Sequence, residues 1–265
     1  MRCGSRATCA APGDGGVTPG PPETDATASP ALERAWWVLS RWAVPVMMTI
    51  AYGFLAAIAD TTLTGKAWMM GGLVLVMIVW FVFRGLTEAA ALSRALGVGD
   101  PARLFALADR HLAHQRRPSA RAPFVVGRGL AHLLRGEHRE ALVALDAAEP
   151  GPELAALAAA VRIVALVELE RPADEARALR VPAPRTPALA GLADGAIAWR
   201  AGELDAASQV LARVISDVRA GSATRAVAHV YAARIAAARG DAPGAARHRA
   251  AAAALATPDA SWLRR

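Results

Sequence analysis

Few residues in this chain have the types and spacing that chemistry needs. His111 and His114 lie three apart on an expected helix, a spacing at which two imidazoles can share a metal ion. The sequence offers no third ligand to complete the set, so no metal site is taken from the pair. Glu168 and Glu170 fall on successive faces of a helix and cannot work as an acid–base pair; Glu170 serves the turn that follows. His132 sits on a packed inner helix as a core or groove residue, while His138 and His248 read as exposed. Cys3 and Cys9 are the only cysteines and both lie near the N-terminus, so neither a disulfide framework nor a thiolate zinc site can be built further along. No Gly-x-Ser-x-Gly elbow, P-loop or dinucleotide fingerprint occurs. The expectation is a protein without a catalytic site, a cofactor or a metal.

The formal net charge is +7, and Lys66 is the only lysine among the basic residues. Arginine, alanine, glycine and proline are enriched together, as in a GC-rich bacterial genome. The arginines are scattered among Asp and Glu, the pattern of a solvated surface rather than of a stripe that tracks phosphates, so no nucleic-acid partner is expected. The densest basic run is Arg116-Arg117-Pro118-Ser119-Ala120-Arg121. It is either a solvated linker or a contact to anionic headgroups worth about 1 kcal/mol per basic residue.

The elements that would position any site begin with two apolar runs, Trp42 to Ala59 and Ala67 to Phe83, neither of which contains Asp, Glu, Lys or Arg. Each approaches the roughly 20 residues that a helix needs to cross a hydrocarbon core. The backbone must satisfy itself in lipid, so both are read as helices joined by a short loop. Five of the seven tryptophans lie in or beside this hairpin, where Trp anchors helices at the membrane interface. Arg34, Arg41, Arg84 and Arg94 flank the pair, which places both chain ends in the cytoplasm by the positive-inside rule. The expected organisation is a disordered Gly/Pro/Ala-rich tail over 1–30 and a transmembrane hairpin over 31–85, with spans at about 42–59 and 67–83. A helical repeat region over 86–256 and a C-terminal tail over 257–265 follow. Only Gly85 interrupts the helical pattern after Phe83, so the second span is expected to run on as one helix to about Leu96.

From 86 to 256 one motif recurs: apolar helix, tight turn, acidic residue, second helix. The turns fall at Gly99-Asp100, Gly136-Glu137, Glu170-Arg171, Gly202-Glu203 and Gly240-Asp241. Counted from the glycine, or from Arg171 in its place, the spacings are 37, 35, 31 and 38. Glycine ends a helix because it takes the left-handed conformation without a Cβ clash. The acidic residue then suits the positive end of the next helix. Gly129, Gly136, Ala141, Leu145 and Ala148 in one unit, and Gly195, Gly202, Ala207, Leu211 and Val214 in another, follow a pattern of small, turn-glycine, small, large apolar and small residues. In these positions the chain resembles the tetratricopeptide repeat family, whose period is about 34 residues. The fifth unit keeps Ala233, Gly240 and Ala245 but has Arg249 where a large apolar residue is usual. The third lacks the turn glycine, and Pro182, Pro184 and Pro187 cut its second helix short.

The resemblance implies an all-α fold: a transmembrane hairpin followed by an α-solenoid of about five helical hairpins. It also implies a concave groove lined by the first helix of each hairpin. The groove positions map to Val126, Leu130, Leu133, Val161, Leu192, Trp199, Arg200, Val230 and Arg234. That lining is largely apolar and fits an apolar or amphipathic protein segment, with Trp199 as the leading anchor by residue type. The expected role is a non-catalytic, multi-pass scaffold at the bacterial inner membrane. The alternative is an assembly or quality-control factor whose hairpin contacts membrane-protein clients.

Overall fold

The computed structural model describes residues 46–50, 53, 63–182 and 185–264. The expected N-terminal tail, most of the first span and Pro184 lie outside the described residues; within the first span, residues 46–50 and 53 are helical. No strand occurs among the described residues, so the fold is all-α as expected. The chain divides into two compact units, Met1–Phe81 and Val82–Arg265.

Helix α1 runs unbroken from Leu63 to Val98. At 1.5 Å per residue it is about 54 Å long. Its large apolar side chains from Val74 to Phe83 are mostly exposed on every side, among them Leu75, Ile78, Val79 and Phe83. Its stretch from Gly71 onward is long and apolar enough to cross a membrane. The expected second span and its continuation past Gly85 are therefore one element. Beyond Arg84 the pattern changes: Arg84 and Glu88 pair at 3.1 Å along the helix, while Leu92 and Ala95 are buried in the second unit.

The rest of the second unit is a row of helical hairpins. Helix α2 (Pro101–Leu112) packs on α3 (Pro118–Arg135), and α3 pairs with α4 (His138–Asp146). Helix α5 (Pro152–Glu168) pairs with the short α6 (Ala173–Ala178), and α7 (Pro187–Arg200) with α8 (Leu204–Ser216). Helix α9 (Ser222–Ala238) pairs with α10 (Ala242–Leu255). The inner helices α3, α5, α7 and α9 each touch the next, while α4, α6 and α8 each pack against the inner helix that follows. Proline in the first turn of α2, α3, α5, α7 and α10 fixes φ where no intrahelical N–H bond is needed.

All five expected turns are present, and each has one residue at positive φ: Gly99, Gly136, Glu170, Gly202 and Gly240. In every case the next residue's N–H reaches the carbonyl five back, as in Glu137 to His132 at 2.9 Å and Asp241 to Ala236 at 2.9 Å. The third turn corrects the sequence reading. Glu170 (φ 58°), not Arg171, occupies the left-handed position, so the intervals become 37, 34, 32 and 38 (136−99, 170−136, 202−170, 240−202). The acidic residues after the turns also divide. Asp100 and Asp241 cap their helices, accepting from the Arg103 and Gly244 N–H groups at 3.1 and 2.9 Å. Glu137 and Glu203 make no side-chain cap. Glu137 instead meets His132 Nδ1 at 2.6 Å, and Glu203 lies 3.5 Å from Arg177.

Close approach of paired helices depends on glycine against leucine. A Cβ on Gly129 would lie 2.8 Å from Leu145 Cγ, and one on Gly195 2.7 Å from Leu211. Both leucines are fully buried.

Of the stretch 257–265, read from the sequence as a tail, residues 257–264 are docked. A 3-10 helix, Ser261–Arg264, packs on α3, α9 and α10. Trp262 and Leu263 are buried. Thr257 Oγ1 donates to the Gly99 carbonyl at 3.1 Å and Ser261 Oγ to the Arg135 carbonyl at 3.0 Å, so this segment satisfies carbonyls at the first two turns. Burial of one large aromatic and one leucine, each worth about 1.5–3 kcal/mol, opposes the chain entropy that would free it.

Candidate functional site

The inner face of the row decides what the protein can hold. The residues expected to line an open groove are mainly core: Val126, Leu130, Leu133, Val161 and Leu192 are all 0–6% exposed. Leu130, Leu133, Val161 and Leu192 converge with Leu96 from α1 and Val227 from α9 around a gap of only about 30 Å³, the scale of a single water. The groove reading fails for these five because the inner helices carry Ala and Gly at many contact positions. They close on one another, and Leu96 fills what remains. Arg200 is also structural: its guanidinium donates to the carbonyls of Glu170 and Arg171, at 3.0 Å for the latter, and so ends α5 from the neighbouring hairpin. Trp199 is half-buried against the core. Val230 and Arg234 are also half-buried, and they line the wall of a different cavity.

That cavity, about 360 Å³, opens between α9, α10 and the C-terminal 3-10 helix. Its polar side is built around Glu168, the last residue of α5, whose side chain is 7% exposed. Arg234 NH1 and NH2 donate to its two oxygens at 2.5 and 2.9 Å, a bidentate pair. Tyr231 Oη donates to Oε1 at 3.0 Å, and Trp262 Nε1 to Oε2 at 3.3 Å. His138 Nε2 stands 3.9 Å from Oε2, with its ring edge-on to Trp262 at 5.6 Å.

The local energetics follow from this geometry. Burial, then the charge of Glu168, holds the Tyr231 hydroxyl pKa well above its usual value, so it stays a donor. For Arg234, burial works against the charged form, but the hydrogen bonds and charge of Glu168 outweigh it and raise the pKa. A carboxylate held by four donors is not poised as a general base, since a substrate proton would have to displace one of them. The arrangement instead ties α5, α9 and the C-terminus together at one buried point.

Sequence reasoning sets Glu168 aside, treats His138 as exposed and leaves Trp262 unassigned. The His138 side chain is in fact 14% exposed. One signal is available: Glu168 directly follows the buried run from Ile163 to Val167, a place where a carboxylate needs partners. The partners on α9 and at the C-terminus are 63 to 94 residues away, beyond the reach of any local pattern.

The other histidines also part from their expected places. Helix α2 ends at Leu112, so His114 falls in the following turn and does not share a helical face with His111. His111 is buried and stacks on Phe124 at 4.1 Å. His248 is half-buried rather than exposed, with its Nδ1 3.0 Å from that of His229. Among the described residues no group of three or more His, Cys, Asp or Glu side chains is placed to share a metal ion. Compared with known proteins, the chain matches no family model, no curated protein and no solved structure.

Proposed function

We propose that this chain is a membrane-anchored, non-catalytic adaptor. Its array of helical hairpins, tetratricopeptide-like in their glycine–leucine packing, holds a protein partner at the cytoplasmic face of a bacterial inner membrane. The observation that carries the reading is the continuity of α1: one helix is apolar and exposed at one end and contributes Leu92 and Ala95 to the hairpin core at the other. The apolar stretch and Leu92 and Ala95 of the hairpin core thus lie on one helix. The self-neutralised Glu168 cluster supports a binding role over a catalytic one.

Closure of the inner face narrows the partner surface. Of the residues that the resemblance assigns to it, Trp199, Arg200, Val230 and Arg234 keep solvent exposure, with the Arg200 guanidinium held by backbone carbonyls, and an apolar or amphipathic segment remains the fitting occupant. The test is photo-crosslinking in cells from probes at 199 and 230, repeated with the apolar hairpin exchanged for an unrelated two-helix anchor. The adaptor reading expects the same adducts after the exchange. Loss of adducts with folding intact favours the second role, in which the hairpin itself contacts clients. A reporter fused at the C-terminus checks the cytoplasmic placement.

A further inference from the structure

The cavity beside Glu168 lies where the fifth hairpin departs from the packing of the second and fourth. Leu145 stands nine positions after Gly136 and Leu211 nine after Gly202, and each fills the space over its facing glycine. Nine positions after Gly240 stands Arg249, facing the wall that holds Ala233. An arginine at the filler position leaves the apolar space empty and puts a cation at its edge. Glu168 does not answer that charge, because Arg234 takes both of its oxygens. Arg249 itself forms no ion pair among the described residues. The cavity therefore has an exposed, unneutralised arginine at its rim beside Ala237, and walls of Val230, Ala233, Leu263 and the Trp262 ring. Its volume lies within the range of small-molecule sites, about 300–1,000 Å³.

The geometry points to a ligand site for a small organic monoanion, a carboxylate with a short apolar body, its charge on Arg249 and its body in the space a leucine fills elsewhere. This goes beyond the adaptor reading and stands without it, since the occupant is a small molecule and the binding needs no partner.

The experiment is calorimetric titration of the full chain in mild-detergent micelles with hexanoate, hexan-1-ol and inorganic phosphate. Arg249→Leu and Arg249→Gln are run alongside in the same micelles, so partition of the probe into detergent cancels. The expected result is saturable binding of hexanoate, with hexanol and phosphate each weaker by about tenfold or more. Arg249→Leu fills the cavity and removes the charge; Arg249→Gln removes the charge with the space retained; both are expected to weaken hexanoate by about tenfold or more. No saturable hexanoate binding to the wild-type chain overturns the proposal. So does binding that both variants keep, or phosphate binding as tight as hexanoate. The measurement contains no protein partner, so failure of the adaptor reading leaves its outcome unchanged.

Discussion

Glu168 gathers donors from α9 and the C-terminal 3-10 helix, and its substitution is the sharpest test of that arrangement. Glu168→Gln replaces one acceptor by an N–H group aimed at the Arg234 guanidinium. It is expected to cost about 2–3 kcal/mol, with partial hydration of Arg234 reducing the full penalty of a broken buried pair. Urea unfolding followed by tryptophan fluorescence reads it. The double variant Glu168→Leu/Arg234→Met removes both charges and should recover most of the loss; no recovery would mean that Tyr231 and Trp262, not the ion pair, carry the tie. A second residue-level effect lies at His229 and His248, whose 3.0 Å contact requires one ring to donate and the other to accept. Burial, then the charges of His248 and Arg225, lowers the His229 pKa below its ordinary 6.5. The folded chain therefore binds this proton less readily than the unfolded chain. The stabilising contribution is complete above about pH 6.5 and is lost as pH falls from there through the lower folded value. Denaturation midpoints should drop from pH 7.5 to pH 5.5, and His229→Gln should flatten that slope. An unchanged slope in the variant would assign the pH dependence to another group.

At the scale of the element, the second and fourth hairpins each stand on a glycine and the leucine that fills the space above it. Leu211→Ala should cost about 2–5 kcal/mol, because the rigid helices cannot collapse onto the space. Gly195→Ala should cost about 1–3 kcal/mol for the opposite reason, its new Cβ lying 2.7 Å from Leu211. Differential calorimetry of the two variants compares a cavity with an overfilled contact at one locus. A larger loss follows from truncation after Ala256, which removes the buried Trp262 and Leu263 and leaves Glu168 one donor short. A free tail predicts an unchanged melting temperature, whereas the docked segment predicts a clear fall. These elements also show what the sequence can reveal. The turns are legible because glycine at the left-handed position is a local requirement, written in one residue. The third turn reads one position off because Glu170 adopts that conformation without the glycine that would mark it. The glycine–leucine pairs are legible as a period. The closure of the inner face is not, because it depends on how tightly successive hairpins coil, a sum of many small Ala and Gly contacts. The docking of the C-terminus rests on pairs such as Trp262 with Glu168, which no periodicity links.

For the whole molecule, the decisive feature is the apolar half of α1, which is long and apolar enough to cross a membrane. Leu75, Val79 and Phe83 recur at intervals of four along one exposed face, and Val76, Ile78 and Val82 cover other faces with similar exposure. A helix apolar on all sides has no solvated face to offer water, so it needs either a protein sheath or a bilayer. Those side chains stay exposed among the described residues, as they would in a segment that spans a bilayer. An aspartate near the middle of such a span costs about 2.5–3.5 kcal/mol on an insertion scale. Val79→Asp alone should therefore lower the share of protein that resists extraction by alkaline carbonate. Leu75→Asp/Val79→Asp, with two charges one turn apart, should release most of it. The hairpin region has its own core, from Leu92 through Leu263, that neither substitution touches. The released protein should accordingly keep its helical circular dichroism and its cooperative melt. If α1 were the core of a water-soluble fold, the same two charges would abolish the melt instead of moving the protein from pellet to supernatant. Carbonate extraction and calorimetry of the double variant, taken together, separate the two cases.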